Sequence, residues 1–299
     1  MNIINDFGPG HKLNPLNDYL FYRVMGEKGD EVQLLGFLNA VLTRSGKKPI
    51  KSLEIMENTA FVKDVIDGKS CVLDVLAVLQ DGTKVNIEVQ LDNQHNMDRR
   101  TLFYWSKVYI QDLKEGQDYL ELPDVIAVNI VDFNFPRRGG LHTCFHLRED
   151  ADPSLVLTEA LEIHCINMVE WRKLKDKDVH NDPLHRWLAR FDKNSPPELI
   201  EEVSTMDPAI VAANEKINLV MQDDEARRRY WRRQMAIMDE NGRRKYARDE
   251  GLAEGREQGI QQGREQSAIE IARKMKEIGD SVDKICAVTG LSAEVIKEL

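Results

Sequence analysis

The chain has 299 residues, 42% hydrophobic and 31% charged, enough to bury a sizeable core in one large domain or two modest ones and too apolar for wholesale disorder. No run approaches the roughly eighteen apolar residues of a membrane span, and residues 1–12 lack the apolar centre of a secretory leader, so a cytoplasmic protein with no membrane partner is expected. The net charge of −10 works against simple phosphate binding, yet it leaves room for a locally basic groove and for acids that hold a cation.

Residues 16–43 place Leu16, Leu20, Val24, Leu34, Leu35, Leu38 and Leu42 at helical spacings, with a break near Gly26 to Gly29. Lys48 to Val65 mixes β-branched and polar residues and predicts a first strand. Cys71 to Leu79 and Thr83 to Leu91 are β-rich runs joined by Gln80-Asp81-Gly82, the strongest hairpin signal in the chain. Asn96 to Leu113 reads as an amphipathic helix with Leu102, Trp105, Val108, Tyr109 and Leu113 inward. Val125 to Phe133 is almost continuously apolar, as a strand covered on both faces requires. Pro136 and Gly139-Gly140 close that unit, and residues 141–171 add edge strands, Leu161 to Met168 being the best candidate.

From about residue 176 the pattern is helical, broken at Pro183, Pro196-Pro197 and Pro208, and a charged helix runs from Asp223 to about Arg248. The expected fold is therefore α/β, an αβββαβ core followed by an α-helical C-terminal region. The expected segments are a core domain at 1–175, a helical region at 176–249, and a glycine-tetrad helix with a terminal helical hairpin at 250–299. Cys71, Cys144, Cys165 and Cys286 contain no CxxC pair, and their spacing supports neither a disulfide framework nor a zinc site. Cys71 and Cys165 are expected as buried thiols.

Turn chemistry decides which hairpin side chains meet. A two-residue Asp81-Gly82 loop would set Asp74 opposite Val89, whereas a three-residue Gln80-Asp81-Gly82 loop sets it opposite Glu88. The second form is a type I turn closing on a left-handed glycine, and Gly82 is the residue it needs. Glu88 and Gln90 then share one face with Asp74, because strand side chains alternate. Facing carboxylates repel by roughly 0.2–1 kcal/mol even on an exposed ladder, and a Mg²⁺ or Mn²⁺ ion between them removes that repulsion. Asp74 and Glu88 are the candidate metal ligands. A solvated polar face is the competing explanation of the alternating acids.

Leu73-Asp74-Val75 and Asn86-Ile87-Glu88-Val89-Gln90, with thirteen residues between Asp74 and Glu88, resemble the LDV and (N/I)IExQ signature of the PD-(D/E)XK nuclease family transposases, the recombination-promoting nucleases. Asp18-Tyr19-Leu20-Phe21 is similar to the family's opening DxxF helix. Arg99 to Lys107 and the Gly116-x-x-Tyr119 segment extend the likeness, which covers about residues 14–170. The resemblance implies a restriction-endonuclease-like fold and a metal-dependent DNA endonuclease linked to recombination or mobile elements. It implies Asp74, Glu88, Gln90 and Arg100 as catalytic residues, with DNA as substrate. Gln90 stands where the superfamily usually has Lys; an amide cannot be a general base near neutral pH, but it can orient water. Tyr22 follows the DxxF phenylalanine where the family often has Lys, and Asp18 is read as structural.

Arg100 and Tyr104 lie one helical turn apart and can point at one neighbour, similar to the QxxxY element of exonuclease-type relatives. Arg100 suits a phosphate contact; a surface salt bridge with Tyr104 in the core is the other reading. Arg99, Tyr104, Arg228 and Arg232 are further candidate DNA contacts. Arg227-Arg228-Arg229-Tyr230-Trp231-Arg232-Arg233 interleaves basic and aromatic residues, as a nucleic-acid groove does, but acids nearby also fit a charge-laced solvated helix.

Gly251, Gly255, Gly259 and Gly263 cost a helix about 1 kcal/mol each relative to Ala. A homo-oligomer packed through this stripe and a flexible tether are both open. Ser292 is a good N-cap, but too few residues follow it for a recognition helix. A catalytically inactive DNA-binding or assembly protein of the same fold is the alternative to the endonuclease.

Overall fold

The structure, a computed structural model, describes residues 12–56 and 75–299, so Cys71 and Asp74 lie outside the described residues. The chain divides into two compact units, Met1–Gln234 and Met235–Leu299.

The first unit opens with α1 (Asp18–Met25) and α2 (Glu31–Arg44). Asn17 caps α1 by accepting the Leu20 amide, and the break between the helices contains Gly29 at φ +100°. Six strands follow: β1 (Leu53–Ile55), β2 (Val75–Leu79), β3 (Lys84–Gln90), β4 (Val125–Val131), β5 (His142–Arg148) and β6 (Val156–Asn167). They form one sheet in the order β1-β2-β3-β4-β6-β5. The β3/β4 and β4/β6 pairs are parallel and the other three antiparallel. Helix α3 (Met97–Ile110) makes the crossover from β3 to β4, and all seven residues of β4 are buried, as for a strand covered on both faces. This is the α/β architecture expected from the sequence, and the strand anticipated at 161–168 is the end of a longer β6 paired with β5.

One face of the sheet carries Val75, Ala77, Val85, Ile87, Val89, Val128 and Ile130. It packs on α1 and α2 and on α4 (Met168–Lys173), α5 (Pro183–Phe191), α6 (Pro197–Met206) and α7 (Pro208–Gln222). Phe37, Trp187 and Phe191 meet edge-on or tilted in this core, with centroids 5.3–5.8 Å apart. Burying a phenylalanine there stabilises by roughly 1.5–3 kcal/mol. Gly36 lets α2 approach α7: a Cβ at that position would stand 2.4 Å from the Ala209 Cβ.

The opposite face meets α3, with Leu76, Tyr104, Val108 and Val125 clustered between helix and sheet. The inward stripe of α3 is Met97, Thr101, Tyr104 and Val108. Of the residues expected inward, Val108 is buried and Trp105 and Tyr109 pack against this cluster, whereas Leu102 and Leu113 are exposed. The reason is polar: Thr101 is drawn inside because its hydroxyl accepts the Asn129 amide at 2.9 Å.

Helix α8 (Asp224–Glu277) continues well past the expected end near Arg248. Its Glu, Arg, Gln and Ala content favours helix strongly enough to carry the four glycines, none of which has another group within 4 Å of where a Cβ would be. In the second unit, Ala272, Ile285 and Ile296 form a small core with α9 (Val282–Thr289) and α10 (Ala293–Glu298). Ser292 caps α10 as its sequence position implies, accepting the Val295 amide at 3.4 Å.

Candidate active site

The β2/β3 turn takes the three-residue form. Leu79 donates to the Thr83 carbonyl at 2.8 Å, and Gly82 adopts φ +88°. Val75 pairs with Ile87, Leu76 with Asn86, and Ala77 with Val85. Glu88 pairs across the parallel side with Asn129, which in turn pairs with Cys165. Alternation therefore puts Asn86, Glu88 and Gln90 on the α3 face of the sheet, away from the main core.

Glu88 is 2% exposed. Arg100, on α3, brings its Nη2 to 3.4 Å from Glu88 Oε2 and stacks its guanidinium 4.7 Å from the Tyr104 ring centre. Arg100 and Tyr104 thus meet on one helical turn, with the arginine directed at the carboxylate. Arg99 is exposed on the same helix. Gln90 is half-buried, and its Nε2 donates to the Asp92 carbonyl at 3.1 Å. Asn129 donates to Thr101 Oγ1 and to the His164 carbonyl at 3.1 Å, which ties α3, β4 and β6 together around the site.

Asn86 Oδ1 and Asn129 Oδ1 are buried and accept no hydrogen bond among the described residues. Orphaned carbonyl oxygens beside a carboxylate form a hard-oxygen donor set of the kind Mg²⁺ and Mn²⁺ prefer. The residues present therefore fit a hard divalent cation. The asparagines were not singled out from the sequence, although Asn86 has the same parity on β3 as Glu88.

The arginine cluster at the start of α8 is largely paired. Arg227 bonds Asp224, Arg229 bonds Glu225, and Arg233 grips Asp18 through Nε at 2.7–2.9 Å. Asp18 thus holds α8 to the start of α1. Tyr230 is fully buried, its hydroxyl accepting the Asn14 amide at 2.9 Å, and Trp231 packs against the main core. These aromatics are core residues and not a stacking platform for bases. Arg228 and Arg232 are exposed and make no ion pair among the described residues.

A second polar cluster escaped the sequence reading. His142, Cys144 and His146 alternate along β5 and face Glu162 and His164 of β6, on the sheet face opposite Glu88. No CxxC pair marks these residues in the sequence. The usable signal was Cys-x-His and Glu-x-His on two strands, which become one constellation only through pairing. Burial pushes the Cys144 thiol up to about 12, with the Glu162 carboxylate adding to the effect. Burial likewise raises the Glu162 carboxyl, but hydrogen bonds from His164 and Lys47 outweigh it and hold the group near about 2.

No described helix is long and apolar enough to cross a membrane. A family model described as PD-(D/E)XK nuclease family transposase matches residues 15–247, through the sheet, the helices packed on it and the first part of α8. No curated protein and no solved structure matches the chain.

Proposed function

This chain belongs to the PD-(D/E)XK nuclease family transposases, and on that premise we propose that it is a metal-dependent DNA endonuclease. Nucleases of this kind generally use divalent metal ions. A cation held by Glu88 and Asp74 would act as a Lewis acid toward the scissile phosphate and lower the pKa of a bound water. Glu88 supplies its charge from a buried position where competing water is scarce. Asn129 and Asn86 bring neutral oxygens to the same face. Gln90 has one amide hydrogen fixed on the Asp92 carbonyl, so its plane is set and it can orient water without taking a proton. Arg100 screens the Glu88 charge and, with its planar donor fork, is suited to a phosphate oxygen. Arg99, Tyr104, Arg228 and Arg232 are the proposed DNA contacts, and a role in recombination or mobile elements is part of the same proposal. The Gly251–Gly263 stripe of α8 is the proposed seat of self-association, which Gly255→Leu and sedimentation velocity would test.

The observation that carries this reading is the buried carboxylate of Glu88 beside two orphaned carbonyl oxygens and an arginine. The test is cleavage of supercoiled plasmid in Mg²⁺ or Mn²⁺ by the wild type, Glu88→Gln and Asp74→Ala. Nicking by the wild type that falls at least a hundredfold in both folded variants supports it. Undiminished cleavage by Glu88→Gln would sink the site. One contact favours a second reading, an inactive DNA-binding or assembly protein: Arg100 rests on the carboxylate a metal would use. DNA binding without cleavage by any of the three proteins would establish that reading.

A further inference from the structure

The Cys144 cluster differs in donor chemistry from the Glu88 site. Cys144 Sγ lies 3.8 Å from His146 Nδ1 and 3.8 Å from Glu162 Oε1. The ligand atoms of Cys144, His146 and Glu162 all fall within 4.8 Å of one another. A tetrahedral ion with a metal–sulfur bond of about 2.3 Å and a metal–nitrogen bond of about 2.0 Å separates those two ligand atoms by roughly 3.5 Å. The three side chains need to close by only tenths of an ångström on that edge.

The carboxylate is also set up for it. Glu162 is 1% exposed, and its Oε1 accepts His164 Nε2 at 2.6 Å. His164 in turn meets His142 through Nδ1 and Nε2 at 2.9 Å, the two rings stacked, so the orienting group is itself fixed. The other oxygen, Oε2, takes the ammonium of Lys47 at 2.7 Å and faces His146 Nε2 at 3.5 Å. Lys47 is 39% exposed at its side chain and can withdraw into water, whereas the Glu162 side chain is 1% exposed. Cys144 and His146 are partly exposed, which provides a path of entry.

We propose that Cys144, His146 and Glu162 form a second cation site, selective for a zinc-class transition metal, in which the Lys47 ammonium takes the cation's place when metal is absent. Thiolate and imidazole favour zinc or cobalt over magnesium, so this site and the oxygen-lined face at Glu88 sort their ions by ligand type. On binding, the Cys144 Sγ–H bond breaks and its proton leaves to solvent as the sulfur–metal bond forms. His146 enters neutral through a ring nitrogen. Lys47 departs still protonated. His164 stays on Oε1 as a positioning residue.

Cobalt(II) titration of the full chain in excess Mg²⁺ tests this through the near-ultraviolet thiolate-to-cobalt absorption. One ion per chain is expected, displaced by Zn²⁺. Cys144→Ser should abolish the absorption, and His146→Gln should weaken binding at least tenfold. Lys47→Met should tighten binding severalfold, because it removes the competing cation. Glu88→Gln should leave the titration unchanged, which separates this site from the proposed nuclease centre. Absence of the thiolate absorption in the wild type would overturn the proposal. So would unchanged or weaker cobalt affinity in folded Lys47→Met, the outcome for a purely structural hydrogen-bond network.

Discussion

Gly82 fixes the register on which the candidate active site rests, and its contribution can be worked out in isolation. It adopts φ +88°, and nothing lies within 4 Å of where a Cβ would be, so Gly82→Ala introduces backbone strain without a clash. A non-glycine residue in the left-handed region costs roughly 1–2 kcal/mol. Stiffening the unfolded chain returns about 0.4–1 kcal/mol. The net loss should be close to 1 kcal/mol, or about 2–4 °C in Tm for a unit of this size. Gly82→Asn should lose less than half as much, because asparagine tolerates the left-handed region. All four tryptophans, Trp105, Trp171, Trp187 and Trp231, lie within Met1–Gln234, so urea unfolding followed by tryptophan fluorescence reports on this unit. The slope against urea should be unchanged, since the exposed surface is unaltered. Gly82→Ala as stable as the wild type, or Gly82→Asn equally destabilised, would refute the argument.

Three further outcomes follow from local electrostatics. Burial holds the His185 imidazole below its usual value, and its Nδ1 accepts the Asp178 amide at 3.0 Å. Its contribution is complete above the unfolded pKa near 6.5 and is lost as pH falls below that toward the depressed folded value, because the unfolded chain takes up the proton first. The wild type should therefore lose more stability than His185→Gln between about pH 7 and 5.5; equal losses by fluorescence melting would exclude His185 as a source. Arg190 is buried beside Asn214, and burial lowers its guanidinium to about 10. Asn214→Ala should cost about 1–3 kcal/mol in urea unfolding, whereas Arg190→Met, which removes the buried charge, should stay within about 1 kcal/mol of the wild type. Arg228→Ala and Arg232→Ala should each reduce the salt dependence of DNA binding by about 0.9 in log–log slope if each contacts a phosphate. Arg233→Ala, already paired with Asp18, should not.

Much of this was legible in the sequence because it is local. The Gln80-Asp81-Gly82 loop and the alternation of Lys84 to Gln90 specified the hairpin register and the face of Glu88. The near-continuous apolar run of Val125 to Val131 identified the central strand for the same reason. What stayed hidden depends on partners far along the chain. Thr101 points inward to meet Asn129, a partner that hydrophobicity does not reveal, and Leu102, expected inward, is exposed. Cys144 and Glu162 become neighbours only when β5 pairs with β6. The charged helix expected to end near Arg248 and the glycine-tetrad helix expected after it are one continuous helix, because an isolated glycine lowers helix stability without ending the helix. Gly36 was passed over because nothing in its neighbourhood reveals Ala209.

The two faces of the sheet give residue parity a meaning in β3. Even positions, Lys84, Asn86, Glu88 and Gln90, answer to the α3 side, and odd positions, Val85, Ile87 and Val89, answer to the main core. Length changes should then obey an arithmetic rule. Deleting one residue near the middle of β3 exchanges the two sets beyond the cut, burying a charge in the aliphatic core and emptying the site at once. Deleting two keeps every remaining side chain on its own side and shortens only the reach of the strand. Homologous chains that vary in this strand should therefore differ by even numbers of residues.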